Sequence, residues 1–227
     1  AIFLQQVVNG MSLGGMYALI AIGYTMVYGV LRLINFAHAD VMMVGAFSTL
    51  FLFSSVVLPF CVAVFLTLGL CGVCGMLIDR VAYRPLRQAS KISMLITAIG
   101  VSYFLQNLAL LIFGSNTKQF TSVVNLPTLK LAGGALSISA VTIITILTCV
   151  VVMVALTSFI NKTKMGQAML AVSEDNGAAT LMGINVNGTI ALTFAIGSAL
   201  AAVAGVLYCS AYPNLSPYTG AMPGIKA

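Results

Sequence analysis

Residues 173–210 read SEDNGAATLMGINVNGTIALTFAIGSALAAVAGVLYCS, and within this stretch the chain changes solvent. From Gly188 to Ser210 there is no charged residue, and the run is close to the ~20 apolar residues that cross the hydrocarbon of a bilayer as a helix. Just before it stand Glu174 and Asp175, two of the four acidic residues in the whole chain. A stretch that polar and that short cannot span. The juxtaposition describes a membrane-spanning helix fed by a small acidic segment in water.

The rest of the sequence repeats the pattern. It is 60% hydrophobic and 6% charged, with a mean hydropathy of +1.09, which no soluble domain could hide in its core. Six apolar segments are read at about 5–31, 36–57, 60–79, 92–113, 136–160 and 188–210. The first has no basic n-region and no small-residue cleavage site, so it reads as a span and not as a signal peptide. Between the spans, Arg32 and Pro59 mark the first two breaks and DRVAYRPLRQASK (79–91) the third. Gly114–Gly134 and Asn161–Asn187 form two longer polar connections. The expected fold is all-α: a polytopic helical membrane protein.

The net charge of +6 does not point to nucleic acid, because the basic residues are scattered through the connections and do not interleave with aromatics. They report orientation instead. Arg32, Arg80, Arg84, Arg87, Lys91, Lys162 and Lys164 fall on one side, against Lys118 and Lys130 on the other; Lys226 lies in the unassigned tail. The positive-inside bias puts the rich side in the cytoplasm, the N-terminus outside and the acidic segment in the cytoplasm.

That segment carries helix signals. Ser173 is the expected N-cap, Glu174 and Asp175 then favour the positive end of the helix dipole, and Gly183 is a left-handed stop followed by apolar Ile184. The helix would be ~14 Å long. Gly177, Ala178 and Ala179 leave it a surface of small residues. It is either a solvated connector or an element made to be gripped.

Resemblance separates these readings. MGQAMLAVSEDNGAATLMGINVNGTIALTFAIGSALAAVAGVLY (165–208) resembles the cytoplasmic coupling segment of ABC-importer permeases, with Ala179 and Gly183 in the places of its alanine and glycine. YALIAIGYTMVYGVLRLINFAHAD (17–40), DRVAYRPLR (79–87) and TAIGVSYFLQN (97–107) resemble the branched-chain amino acid permease family. The resemblance implies one permease domain over 1–227, with 161–187 as its cytoplasmic coupling loop. Glu174, Asp175, Gly177, Ala178, Ala179 and Gly183 would then contact ATPase subunits. It also implies a second homologous permease subunit, a periplasmic amino-acid-binding protein and the bacterial inner membrane. The family usually shows Gly where this chain has Ala39, and it continues beyond Gly224–Ala227 into further spans, so a C-terminally truncated chain is expected.

The inventory agrees with a permease that works with partners. There is no G-x-x-x-x-G-K-[ST] phosphate loop, so ATP hydrolysis would reside on other subunits, and no cofactor is expected. A self-contained channel or secondary transporter, or a permease for urea or short amides, are the alternatives.

RLINFAHAD (32–40) holds the chain's only histidine and one of its acids. It is either a tight cytoplasmic turn in which Asp40 caps the next helix, or a break at membrane depth lined by polar side chains. On the second reading Asn35, Phe36 and His38 line a translocation route. Ser102, Gln106 and Asn107 on the fourth span, and Tyr24 and Thr25 on the first, are candidates for the same route or for interhelical contacts. Cys71-Gly72-Val73-Cys74 has metal-like spacing but lacks a second pair or a histidine, and reads as small packing residues.

Overall fold

The computed structural model describes residues 2–32, 34–54, 56, 58–87, 89–120, 129–131 and 136–226. Its long helices are α1 (Ile2–Leu31), α2 (Ala37–Ser54), α3 (Phe60–Ile78), α4 (Lys91–Phe113), α5 (Ala140–Lys162) and α8 (Val186–Ala211). All six are long and apolar enough to cross a membrane, and they fall within a few residues of the six segments read from the sequence. Shorter helices are α6 (Lys164–Glu174), α7 (Asn176–Leu181) and α9 (Ala221–Lys226). Two small antiparallel pairs join β1 (Lys118–Gln119) to β4 (Asn214–Leu215) and β2 (Leu129–Leu131) to β3 (Leu136–Ile138). Much of the 114–134 connection lies outside the described residues.

One expected boundary moves. Helical structure does not stop at Asp79 but continues through a π turn (Asp79–Tyr83) and a 3-10 turn (Arg84–Leu86). The π turn resets the hydrogen-bond ladder ahead of Pro85, whose missing N–H and bulky ring would break a regular α turn. It also turns Asp79 inward to accept from Arg87 at 2.6 Å.

Helix α8 is the hub, packed against α1, α2 and α3. In lipid there is little hydrophobic drive between helices, so close backbone approach decides the packing. A Cβ on Gly45 of α2 would lie 2.8 Å from Ala202 Cα, and one on Gly75 of α3 would lie 2.7 Å from the Phe194 carbonyl oxygen. Thr49 of α2 donates to Gly45 O and joins Thr67 of α3 at 3.0 Å. Cys71 is buried in the same core with Leu19, Ile20, Met42 and Ala201. Helix α5 lies outermost against α1, and among its described residues only Thr142 and Thr145 are buried.

The start of α2 is where the two readings of 32–40 differ, and it lies beside the middle of its neighbours. His38 sits against Gly23 and Gly197, which lie two to three turns inside the ends of α1 and α8. At ~1.5 Å per residue this is roughly 12–16 Å deep. Asn35 and Phe36 lead into α2 through a turn, in which the His38 N–H reaches Asn35 O at 3.1 Å. Asp40 does not cap α2. Asn35 does so, its Oδ1 accepting from Ala37 N at 3.1 Å. A second segment returns from the opposite side: past β4, Gly220 and Gly224 come against Ala39 so closely that a Cβ on either would collide with it.

Candidate functional site

The two returning segments meet α1 and α4 around a cleft of about 260 Å³. Tyr24 of α1, Phe36 and Asp40 of the α2 entry, Ile99, Ser102, Tyr103 and Gln106 of α4, and Ala221 and Gly224 of α9 line it. Ser102 and Gln106 stand one turn apart on α4 and both donate to the Asp40 carboxylate: Ser102 Oγ to Oδ2, and Gln106 Nε2 to Oδ1 at 3.0 Å. Gln106 Nε2 also reaches Ser102 Oγ at 3.3 Å. A carboxylate at this depth is costly, and the two donors offset part of that cost.

The floor is held by a second polar set. Asn35 Oδ1 accepts from the Tyr83 hydroxyl at 2.6 Å as well as from Ala37 N, which joins the end of α3 to the start of α2. The His38 ring stands edge-on to Tyr24 at 6.0 Å between centroids. Its Nε2 is buried and has no hydrogen-bond partner among the described residues.

Of the route residues expected from sequence, Tyr24, Phe36, Ser102 and Gln106 therefore share one cleft, with Asn35 and His38 adjoining from the buried side. Thr25 faces away, donating to Ile22 O, and lines a separate depression with α6. Asn107 is exposed and donates to Tyr103 O. Tyr83, Tyr103 and the returning α9 were not expected. Tyr83 lies in the polar DRVAYRPLR stretch, where helical continuation was not read. The approach of α9 has no local signal beyond the paired Gly220 and Gly224.

The second feature is the α6–α7 knuckle. Thr163 starts α6, accepting from Gly166 N at 3.0 Å. Gly166 touches the α5 backbone so closely that a Cβ there would collide with Ile160. Met169 and Val172 bury one face of α6 in a cluster with Val27, Val30, Tyr83 and Phe194. The helix expected from Ser173 to Gly183 is therefore two. Ser173 lies inside α6 and donates to Leu170 O, and Glu174 is the last residue of α6. Asp175 is the cap of α7, accepting from Gly177 N at 2.7 Å and Ala178 N at 3.1 Å. Two cap-type residues compete here, and the buried face of α6 carries that helix past the first.

The stop at Gly183 stands as expected. Its φ is +81°, and the Ile184 N–H reaches Ala179 O at 3.0 Å in a Schellman arrangement. Glu174, Asp175, Gly177, Ala178 and Gly183 are exposed, whereas Ala179 turns inward to the cluster. Leu181 and Met182, 90% and 82% exposed, form an apolar tip that the sequence reading did not single out. Isolated apolar residues beside a glycine gave no periodic signal.

The knuckle is tied to the cleft. Arg32, the first residue after α1, has φ +53° and donates from Nη2 to Ser173 O at 2.8 Å and Glu174 O at 3.1 Å. A guanidinium on the last carbonyls of α6 satisfies orphan acceptors at the negative end of its dipole. Three residues later the same chain reaches Asn35. Arg87, held by Asp79, also donates to Asn187 Oδ1 and so fastens the end of the α3 extension to the start of α8.

Comparison with known proteins gives this arrangement its family. A family model described as branched-chain amino acid transport system / permease component matches residues 6–227. The chain is 42% identical over 235 residues to the high-affinity branched-chain amino acid transport system permease protein LivH of Escherichia coli (strain K12), covering 99% of this chain and 76% of that protein. The LivH protein of Salmonella typhimurium is also 42% identical, with the same coverage. The corresponding permease protein BraD of Pseudomonas aeruginosa is 43% identical over 99% of this chain and 76% of its own. No solved structure matches. With a multi-pass helical fold and a family match along nearly its whole length, the chain belongs to the permease components of branched-chain amino acid transport systems.

Proposed function

We propose that this chain is a membrane-spanning permease subunit of an ATP-driven importer, translocating the branched-chain amino acids for which LivH and BraD are named. It works in the bacterial inner membrane beside a second homologous permease subunit, and a periplasmic binding protein delivers the substrate. Cytoplasmic ATPase subunits supply the energy. Residues 161–187 serve as the coupling loop of a single permease domain.

The observation that carries the reading is the Arg32 link. Helices α6 and α7 project an exposed surface of Glu174, Asp175, Gly177 and Ala178 with Leu181 and Met182 at its tip. Arg32 holds the carbonyl end of α6 and leads directly into the α2 entry. A partner that grips the knuckle and moves it pulls on the segment that lines the cleft. Tyr24, Phe36, Ser102 and Gln106 form the route wall, supported by Asn35 and His38. A coupling element needs protrusion and a tether, and the exposed tip and the Arg32 contacts support that role for the knuckle.

The test is co-purification of the ATPase subunits with the permease complex, together with leucine uptake. Ala178→Arg and Leu181→Arg each place a cation on the exposed face without touching the buried side. Both are expected to release the ATPase and to lower uptake at least tenfold. An ATPase that stays bound and coupled in both variants would reduce the knuckle to a connector.

A further inference from the structure

Asp40 lacks what a carboxylate at this depth ordinarily has. Among the described residues Asp79 faces Arg87 across an ion pair, whereas no basic group lies within ion-pair distance of Asp40. Its two partners, Ser102 and Gln106, are neutral donors from one helix. Isolated intramembrane carboxylates pair with cations or mark ion paths, because two neutral hydrogen bonds do not replace the lost hydration of a full charge. A cation would complete the site for a charged carboxylate, and it has room to enter: the cleft at Asp40 is many times the ~30 Å³ share of one water molecule.

The walls specify which cation. Tyr24, Phe36 and Tyr103 are among the residues that line the cleft with the carboxylate, and aromatic rings beside a carboxylate are a combination that attracts an organic ammonium. Neither tyrosine hydroxyl makes a hydrogen bond among the described residues, so both are available to donate to an anionic group on the same ligand. Ile99, Ala39 and Ala221 complete an apolar side. A carboxylate, aromatic faces, free hydroxyl donors and an aliphatic wall together fit a zwitterion with an aliphatic side chain.

We propose that Asp40 is the counter-charge for the α-ammonium of the amino acid inside the membrane, with Ser102 and Gln106 as positioning residues that aim its two oxygens. This rests on the permease reading above and gives that site its substrate-recognising group. Ser102 and Gln106 hold the carboxylate in one rotamer while the site is empty. The entering ammonium then takes up the remaining lone pairs, and the carboxylate is never left with an unmatched charge once substrate is present.

The experiment uses the assembled importer with its binding protein, reconstituted in proteoliposomes. Asp40→Asn keeps the shape and removes the charge, and uptake of leucine is expected to fall at least tenfold. Asp40→Glu retains the charge and is expected to keep more than a tenth of wild-type uptake. Undiminished uptake in Asp40→Asn overturns the assignment. Wild-type importer that accumulates no leucine would instead remove the permease reading itself, so the two failures are distinct. A direct arm uses the wild type alone and decides the matter if Asp40→Asn does not assemble. An apolar carbodiimide labels Asp40, and mass spectrometry reads the adduct. Leucine and 3-methylbutylamine are expected to protect at least threefold, and 4-methylpentanoate, which lacks the ammonium, not at all. Equal protection by 4-methylpentanoate, or protection by sodium chloride in place of leucine, overturns the proposal.

Discussion

Asn35 shows how much a single side chain carries in this protein. Its Oδ1 serves Ala37 N and the Tyr83 hydroxyl at once, so it starts α2 at mid-depth and pins α3 to that start. Asn35→Leu leaves a buried hydroxyl without its acceptor, and such a loss costs about 1–3 kcal/mol. Tyr83→Phe removes the donor as well, so the double variant is expected to be less destabilised than the two single changes combined. Thermal unfolding of the purified protein in detergent measures this, and additivity within about 0.5 kcal/mol would show that the two groups do not act as a pair. Asn35→Leu is also expected to lower uptake, since it frees the cleft entry. The residue types at 32–40 were visible in the sequence, but their partners were not. Asp40 is a good capping residue by type, yet Asn35 takes the cap and Asp40 turns to α4, more than sixty residues away.

Among the elements, the knuckle shows how local signals compete. Both Ser173 and Asp175 can cap a helix, and from sequence alone the first looks sufficient. Met169 and Val172 bury the face of α6, and that packing extends α6 through Ser173 to Glu174. Asp175 then becomes the cap of a separate six-residue helix. Asp175→Ala is expected to loosen α7 by about 1 kcal/mol, equivalent to roughly fivefold faster hydrogen exchange at the Gly177 and Ala178 amides. Ser173→Ala, inside α6, is expected to leave those amides unchanged. Equal effects from the two substitutions would restore Ser173 as the cap. Gly177 is a less clean probe than Ala178, because a Cβ there would lie 3.2 Å from the capping Asp175 Oδ1.

At the scale of the whole molecule the charge bias and the packing agree on which ends lie together. Arg32 meets the end of α6, and Arg87 meets the start of α8, all on the basic side. On the other side Lys118 lies in the β1 strand that pairs with Asn214–Leu215 of β4. Cysteine substituted at Lys118 is expected to react with a membrane-impermeant reagent in intact cells. Cysteine at Arg84 or Lys164 is expected to react only after the cells are opened. Labelling of position 164 from outside would invert the topology and remove the knuckle from the ATPase side.

The sequence by itself determined the medium, the number of spans and their approximate ends, and it sets the expectation for the side on which the acidic segment lies. These follow from how many apolar residues occur in a row and where lysine and arginine interrupt them, and both quantities are local. Tertiary structure alone decided the depth of the α2 start, the return of Gly220 and Gly224 to Ala39, and the meeting of Asp40 with Ser102 and Gln106. In lipid every face of a span is apolar, so periodicity does not reveal which face meets which neighbour. That choice rests on small residues that allow backbones to touch and on a few polar groups that must find one another away from water.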